Sequence, residues 1–361
     1  MCQAFAKNGH EVVLLAPHDK ENYEPGVEDL YSYYDVERGF IICKLPWLPI
    51  IGRSMFYAFI AALKARRLEP NLVYCRSNLA FIFATILRLP MIFEVHAPFA
   101  RKSRILDWVV ERFFTSRSLL KIVVITHTLR QYFEKKYPSI SSKIIVAPDG
   151  ADPFPAGILP VTFTNRGERL QVGYVGHLYA GKGMEVVSEL ARACSWADFH
   201  VVGGTEEDIA YWKNRCSTSS NVIFHGYVSN QSVPSFILAC NVVLLPNQKK
   251  VSVHGGGGNI GEWTSPLKAF EYMSAAKPIL CSDLPVLREI FEHEKNALIC
   301  RPDDIATWVS ALVRLRDDPD TRMRIGQAAQ KDFFEKFTWS IRAESILRAL
   351  FDKSMTKARR C

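Results

Sequence analysis

The sequence has no C-x-x-C pair. Its nine cysteines stand apart at positions 2, 43, 75, 194, 216, 240, 281, 300 and 361. An odd, scattered set suits a reducing compartment and argues against both a disulfide framework and a zinc site. The sequence also lacks the run of about twenty apolar residues that a membrane helix needs. Its most apolar stretch, Phe40 to Leu63 (FIICKLPWLPIIGRSMFYAFIAAL), is interrupted by Lys44, Pro46, Pro49 and Arg53. It reads as strand, loop and helix of a soluble domain, with a face that could touch a membrane. The opening MCQAFAKNGH has no sustained apolar core of the kind a signal peptide carries. A cytoplasmic protein is therefore expected, with the inner face of the cell membrane as the surface it could meet. Missing too is the strand and glycine-rich turn that a doubly wound domain places ahead of its first helix. The first strand pattern, Glu11–Ala16, follows only Gly9-His10 and a short helical piece, Cys2–Lys7. A fragment, or a start set too late, would each account for this.

What is present suffices for two domains of ordinary size: 361 residues, 48% of them apolar. The net charge of +8 is unevenly spread. Between Arg38 and Lys143 there are 18 Lys and Arg against 5 Asp and Glu, a local +13 that leaves the rest of the chain at −5. Such asymmetry points to an anionic partner for the first half: nucleic acid, an anionic membrane surface or a phosphorylated acceptor. The clusters Lys64-Ala65-Arg66-Arg67, Arg101-Lys102-Ser103-Arg104 and Lys135-Lys136 lie beside apolar sequence, which favours a bilayer. Solvated helix faces would carry the same clusters.

Short apolar runs alternate with helical patterns along the chain. Strand candidates are Glu11–Ala16, Leu72–Tyr74, Met91–Val95, Lys121–Ile125 and Lys143–Ala147, then Gln171–Val175, Asp198–Val202, Asn221–Phe224, Asn241–Leu245, Pro278–Cys281 and Ala297–Ile299. Helix patterns such as Met184–Ala193, Glu206–Arg215, Pro234–Ala239 and Ala306–Leu315 separate them. This is the α/β signature of parallel sheets covered on both faces. A Pro-rich stretch after Asp152, PFPAGILPVTFTNRGER, reads as a linker. The expected organisation is two Rossmann-like domains, 1–155 and 156–338, with a closing segment 339–361. Ligands of such sheets bind beyond the carboxyl ends of the strands, so a site in the cleft between two facing domains is expected.

Two loops carry chemistry. The first, Gly176-His177-Leu178-Tyr179-Ala180-Gly181-Lys182-Gly183, leaves a strand and enters a helix. It is one residue short of a P-loop, because Gly183 offers no hydroxyl for magnesium. Glycines that let backbone N–H groups approach, a helix N-terminus worth about half a positive charge and the charge of Lys182 still suit phosphate. A tight turn with an exposed Lys would look the same. The second runs from Asn247 to Ser265 and contains Gly255-Gly256-Gly257-Gly258. Ser265 reads as an N-cap and Pro266 as the first residue of a helix over Pro266–Ala276. Leu267, Phe270 and Ser274 would share one face and Lys268, Glu271 and Ala275 another. Lys268 and Glu271 could form an i,i+3 salt bridge of about 0.2–0.5 kcal/mol. A nucleotide diphosphate would engage both, phosphate on Lys268 and ribose hydroxyls on Glu271.

The motifs GYVGHLYAGKGME, HGYV at His225–Val228 and GGGGNIGEWTSPLKAFEYMSAAKPILCSDLPVLREI resemble family 4 of the retaining glycosyltransferases, of GT-B fold. The resemblance extends to FEVHAP at Phe93–Pro98, VVITHTLRQYF at Val123–Phe133, VAPDGAD at Val146–Asp152 and FTWSIRAESIL at Phe337–Leu347. It implies that Lys182 holds the donor diphosphate and stabilises the leaving group. It implies that Glu271, the second glutamate of an E-x7-E motif, holds the ribose, and that His96 sits near the transferred sugar. Gly226, Tyr227 and Val228 would lie by the base, and the chain after about Trp339 would return to the first domain. Two departures stand out: the usual Arg of the phosphate loop is His177, and the first glutamate of the motif falls on Trp263, with Glu262 one residue away. The SPLK form, Ser265-Pro266-Leu267-Lys268, is a variant of that motif.

The implied reaction moves a sugar from a nucleotide-diphosphate donor to a hydroxyl of a glycolipid or polysaccharide precursor, with retention. Lys182, Lys268 and backbone amides would take the leaving-group charge, with no metal and no cofactor. A retaining glycosidase is disfavoured, since its carboxylates stand about 5–5.5 Å apart, whereas Glu262 and Glu271 would be roughly 13 Å apart on one helix. A nucleotide-sugar epimerase shares the fold and donor. A P-loop NTPase is weakened by Gly183, and nucleic-acid binding leaves the SPLKAFEYM helix unexplained. An inactive remnant is the remaining alternative.

Overall fold

The computed structural model describes residues 1–18, 27, 29–99, 104–163, 169–250, 261–263 and 265–351. The chain divides into two compact units: Met1–Pro148 with the chain from Ser340 onward, and Asp149–Trp339.

In the first unit the elements run α1 (Cys2–Lys7), β1 (Val13–His18), α2 (Leu30–Tyr33), β2 (Ile41–Pro46), α3 (Arg53–Arg67), β3 (Val73–Cys75), α4 (Asn78–Ile86), β4 (Met91–Val95), α5 (Arg104–Phe114), β5 (Leu119–Val124), α6 (His127–Lys136) and β6 (Ile144–Val146). β1 pairs with β2, and β3 to β6 form a separate sheet in sequential order, every pairing parallel. The stretch from Phe40 to Leu63 supplies β2, a turn and the start of α3. No helix among the described residues is long and apolar enough to cross a membrane.

In the second unit come β7 (Leu170–Val175), α7 (Met184–Ala193), β8 (Ala197–Val202), α8 (Glu206–Arg215), β9 (Val222–Gly226), α9 (Val233–Ala239), β10 (Val242–Leu245), α10 (Leu267–Ser274), β11 (Ile279–Ser282), α11 (Pro285–Arg288), β12 (Leu298–Cys300), α12 (Ile305–Asp317) and α13 (Pro319–Asp332). The last helix, α14 (Trp339–Phe351), closes the chain. The six strands lie in the order β12-β11-β10-β7-β8-β9, all parallel. Every residue of β7, β8, β10 and β11 is buried. That explains why their sequence does not alternate apolar with polar: a parallel sheet covered on both faces has no solvent side, and the polar exceptions Gln171, Asp198, His200 and Ser282 are themselves buried. In β10, Val243 and Leu245 enter the core beside α9 and α10, while Val242 and Leu244 enter the one beside α7 and α12. Strand order reverses between β7 and β10, which makes the loops after those two strands the topological switch point.

The division between units falls at Pro148 and not at residue 155. The expected linker belongs to the second unit because its backbone finds partners there. The Ala151 amide donates to the Phe337 carbonyl at 3.2 Å, Val161 to Ser235 at 3.1 Å and Phe154 to the Ser274 hydroxyl at 3.1 Å. Buried backbone groups must be paired, and proline-rich sequence does not prevent it. The Trp339 amide donates to the Ala151 carbonyl at 3.1 Å, so the two segments where the chain changes unit are joined.

α14 is fastened to the first unit by a buried ion pair. The Arg342 guanidinium lies 3.0 Å from the Glu94 carboxylate at the end of β4, and both residues are almost fully buried. Arg342 also donates to the carbonyls of Pro148 at 2.7 Å and Ala147 at 3.1 Å. Tyr74 donates its hydroxyl to Glu94. Burial by itself would raise the Glu94 carboxyl, but the hydrogen bond from His96, the Arg342 charge and the Tyr74 hydroxyl outweigh it and lower the pKa to about 2. Removing one partner of a buried pair strands the other charge. Arg342→Ala is therefore expected to destabilise the protein by about 3–5 kcal/mol in urea unfolding. Because the folded pKa lies below the unfolded value of about 4.3, the Glu94 contribution is complete above that value and is lost as pH falls towards 2. Glu94→Gln should flatten the stability–pH curve across that interval, measured by urea midpoints at stepped pH.

Candidate functional site

The loop after β7 is shaped by side chains that hold its carbonyls. Tyr174, buried beneath it, donates its hydroxyl to the His177 carbonyl at 2.6 Å and lies 3.2 Å from that of Lys182. Trp212 on α8 donates its indole N–H to the Leu178 carbonyl at 2.9 Å. Three loop carbonyls are thus engaged by the protein itself, which favours the use of the amide side for an anion. Lys182 is half-buried, with its ammonium 5.4 Å from the Tyr179 ring centroid. Burial lowers its pKa, a penalty that a neighbouring phosphate would remove. His177 is exposed and stacks on Tyr179.

Gly183 caps α7 at φ +99°, and a Cβ there would stand 2.2 Å from the Pro246 carbonyl oxygen. A P-loop hydroxyl at this position is sterically impossible, and that is the physical reason for glycine. The close approach brings the loop after β7 against the chain leaving β10, where the Gln248 amide donates to the Gly181 carbonyl at 2.9 Å. On the other side, the Gly176 amide donates to Val202 at 2.9 Å and the Gly203 amide to Gly226 at 2.7 Å. A Cβ on Gly203 would meet the Gly176 carbonyl at 2.4 Å. The carboxyl ends of β10, β7, β8 and β9 are therefore stitched side by side.

α10 departs from expectation at its start. It begins at Leu267, because Pro266 keeps an extended ψ of 115°. Ser265 does not cap the helix; it is buried and its hydroxyl accepts the Asp149 amide at 3.2 Å. Leu267 is exposed at 48%, so the buried face is Ala269, Phe270, Tyr272 and Met273, with Ser274 beside them. Residues 261–263 form a turn, so Glu262 and Glu271 do not share a helix and a helical spacing of their carboxylates does not apply. Glu262 is exposed and Trp263 half-buried. The glycine run at 255–258 lies outside the described residues, as do residues 101–103 of the basic cluster. Lys268 and Glu271 pair with each other at 2.7 Å, both about one quarter exposed. The link from this helix to the strand that leads into the loop of Lys182 is Tyr272. It is fully buried, and its hydroxyl accepts the Val175 amide at 2.9 Å.

At the end of β9, Gly226 has φ +74°, Tyr227 is 76% exposed and Val228 packs on the core. Beneath them runs a buried polar strip. Gln171 donates to the Arg169 carbonyl at 2.8 Å, so its carbonyl oxygen accepts from His200 Nε2 at 2.7 Å. His200 Nδ1 then accepts from His225 Nε2 at 2.9 Å. Phe163 stacks on His200 at 3.5 Å.

In the first unit, His96 follows β4 and its Nε2 lies 2.5 Å from the Glu94 carboxylate. That contact places the Nε2 proton towards Glu94. It leaves Nδ1 as the acceptor, 3.5 Å from the Arg76 guanidinium. Sequence reasoning missed Tyr174, Trp212, Tyr272, Glu94 and Arg342. Trp212, Tyr272 and Arg342 act through partners distant in the chain, whereas Tyr174 reaches carbonyls three and eight residues on and Glu94 stands two residues before His96 in FEVHAP.

An open polar depression beside the ends of β11 and β12 is lined by Lys249, Asp283, Arg301, Asp303 and Asp304. Its carboxylates outnumber its cations and it touches neither Lys182 nor Lys268, so an anionic ligand fits the switch point better.

The two parallel α/β units define the GT-B fold, the architecture of a large class of glycosyltransferases. More particularly, the family model "Glycosyltransferase Family 4" matches residues 1–153 and "Glycosyl transferases group 1" matches residues 161–332, so the chain is of the family 4/group 1 glycosyltransferase type. It is 27% identical over 174 residues to an uncharacterized glycosyltransferase of Methanocaldococcus jannaschii, covering 46% of this chain and 40% of that protein. It is 25% identical over 242 residues to the 2-deoxystreptamine glucosyltransferase of Streptomyces kanamyceticus, covering 62% and 59%. The chain thus spans 40% and 59% of the lengths of these two curated relatives. Among solved structures, a glycosyltransferase from Rickettsia africae superposes with a TM-score of 0.70 at 11% identity, covering 99% of this chain and 93% of that one. Anabaena HepE, determined in complex with UDP, gives 0.67 at 14% identity, covering 95% and 100%. At these identities the likeness is one of fold.

The Gly183 contact yields a direct test. Gly183→Ala should cost on the order of 1–3 kcal/mol in urea unfolding, since the φ is left-handed and the obstacle is backbone. Gly157, also at positive φ but with open space around it, should tolerate alanine at the smaller end of that range.

Proposed function

We propose that the protein transfers a glycosyl group from a nucleotide-diphosphate sugar to a hydroxyl of a glycolipid or saccharide acceptor, with retention. The observation that carries this reading is the coupling of the loop of Lys182 to α10 through the Val175–Tyr272 hydrogen bond at the switch point. Lys182 and the amides at the start of α7 would bind the diphosphate and carry the charge that develops on it as the glycosidic bond breaks. Lys268 would leave its pairing with Glu271 to join them. Glu271 would then accept two ribose hydroxyls, and the exposed ring of Tyr227 would face the base. In that scheme lysines and backbone dipoles would do the neutralising. His96, oriented by Glu94, would act on the transferred sugar. The UDP bound to the Anabaena protein makes uridine diphosphate the first nucleotide to try.

The test is a panel of radiolabelled nucleotide sugars with a membrane extract as acceptor source. Transfer of label to an acceptor, with the anomeric configuration of the donor preserved by NMR, is expected. Release of free sugar or an altered donor without transfer would overturn the reading and favour an epimerase. Glu271→Ala should weaken nucleotide binding about 10- to 100-fold in calorimetry with the fold intact, the loss of charge-assisted hydrogen bonds. Lys182→Ala should lower kcat by about 10²–10³. His96→Ala should lower kcat while leaving nucleotide affinity unchanged.

A further inference from the structure

Helix α3 is packed in an inverted sense. Its buried residues are Ala58, Ala61, Ala62 and Ala65, while Met55, Phe56 and Phe59 are exposed. Burial in water selects the opposite arrangement, since a large apolar side chain gains more than a methyl group. The turn that leads into the helix continues the pattern. Leu48 and Ile50 are exposed, and Ile51, beside Gly52 at φ +82°, is exposed at 105%. Between residues 48 and 59 six large apolar side chains, Leu48, Ile50, Ile51, Met55, Phe56 and Phe59, therefore meet solvent, and clusters of this kind mark interaction sites.

The charge of the segment restricts what can cover it. From Arg38 to Leu68 there are six Lys and Arg and no Asp or Glu. Arg53 lies over the Trp47 ring at 5.2 Å. On a helix of 3.6 residues per turn, Met55, Phe59 and Arg66 fall on one stripe, and Phe56 and Arg67 on the next. The exposed face of α3 is thus apolar for its first turns and cationic at its end. A second copy of the chain would set like charges against each other. Nucleic acid would account for the cations and leave Ile51, Met55, Phe56 and Phe59 in water. An anionic bilayer accepts both halves of the face: acyl boundary for the apolar side chains and headgroup phosphates for the arginines.

We propose that the turn at 48–52 and the exposed face of α3 dock the protein on an anionic phospholipid bilayer. The helix lies in the headgroup plane, with Ile50, Ile51, Met55, Phe56 and Phe59 in the acyl boundary and Arg66 and Arg67 on lipid phosphates. This stands independently of the transfer reaction, since it rests on a surface of the first unit and is read by binding alone.

The experiment is co-sedimentation of the full chain with vesicles of phosphatidylcholine and with vesicles of phosphatidylcholine mixed with phosphatidylglycerol. Binding to the mixed vesicles only, weakening as salt is raised, is expected. Ile51→Ser/Met55→Ser and, separately, Arg66→Glu/Arg67→Glu should each lower vesicle affinity about tenfold or more. The substituted side chains are exposed, so melting temperature and circular dichroism should match the parent. Equal binding to neutral vesicles, or affinity unchanged in both variants, would overturn the proposal. So would a dimer in sedimentation equilibrium that the serine variant abolishes, without vesicle binding by the parent. Tighter binding of an oligonucleotide than of the mixed vesicles, lost in the glutamate variant, would do the same.

Discussion

The amide of Val175 closes β7 by donating to a tyrosine hydroxyl that comes from the far side of a long loop. Tyr272 is fully buried, so this hydrogen bond has no water to replace it, and losing it would leave a buried donor unpaired. It fixes α10 to the end of the strand from which the Lys182 loop departs. The same loop is pressed against Pro246 at Gly183 and tied to Gln248 through Gly181. Two segments that flank the switch point are thereby held together. A ligand that engages Lys182 and α10 together meets a frame already set, which is where preorganised electrostatics gains its strength.

The first unit depends on a different interaction of the same kind. Glu94 and Arg342 are both withdrawn from water, a costly arrangement unless each is fully partnered. Here the guanidinium also meets two carbonyls, and the carboxylate meets Tyr74, His96 and, at 3.5 Å, Arg76. The cluster does two things. It binds the last helix to the sheet, and it sets which nitrogen of His96 carries a proton. A histidine that could pass in sequence for an ordinary core residue is thus held half-exposed by a buried carboxylate.

The strands were legible to within about two residues, because short, mostly apolar runs are separated by turns and helical patterns. The loop of Lys182 was legible as a strand-to-helix turn because its glycines and lysine are adjacent. The start of α10 was misread: Ser-Pro is a good local helix opening, yet Ser265 gives its hydroxyl to Asp149, and Pro266 stays extended. The linker was misread as well. Proline-rich sequence carries no apolar period, but residues such as Phe154, Val161 and Phe163 pack on the second unit's core. α3 shows a third kind of limit. Its alanines and phenylalanines fit a helix in sequence, but which of them faces the protein is settled by what packs against it.

Taken alone, then, the sequence determined the α/β class, the two-unit plan, the loop of Lys182 and the pairing of Lys268 with Glu271 on one helix face. These are properties of neighbours three or four residues apart or of short repeated patterns. The tertiary structure decided the partners. Arg342 reaches Glu94 across 248 residues, and Tyr272 reaches Val175 across 97. Contacts at such separations are chosen by packing and by the need to pair every buried polar group, and neither leaves a local mark on the chain.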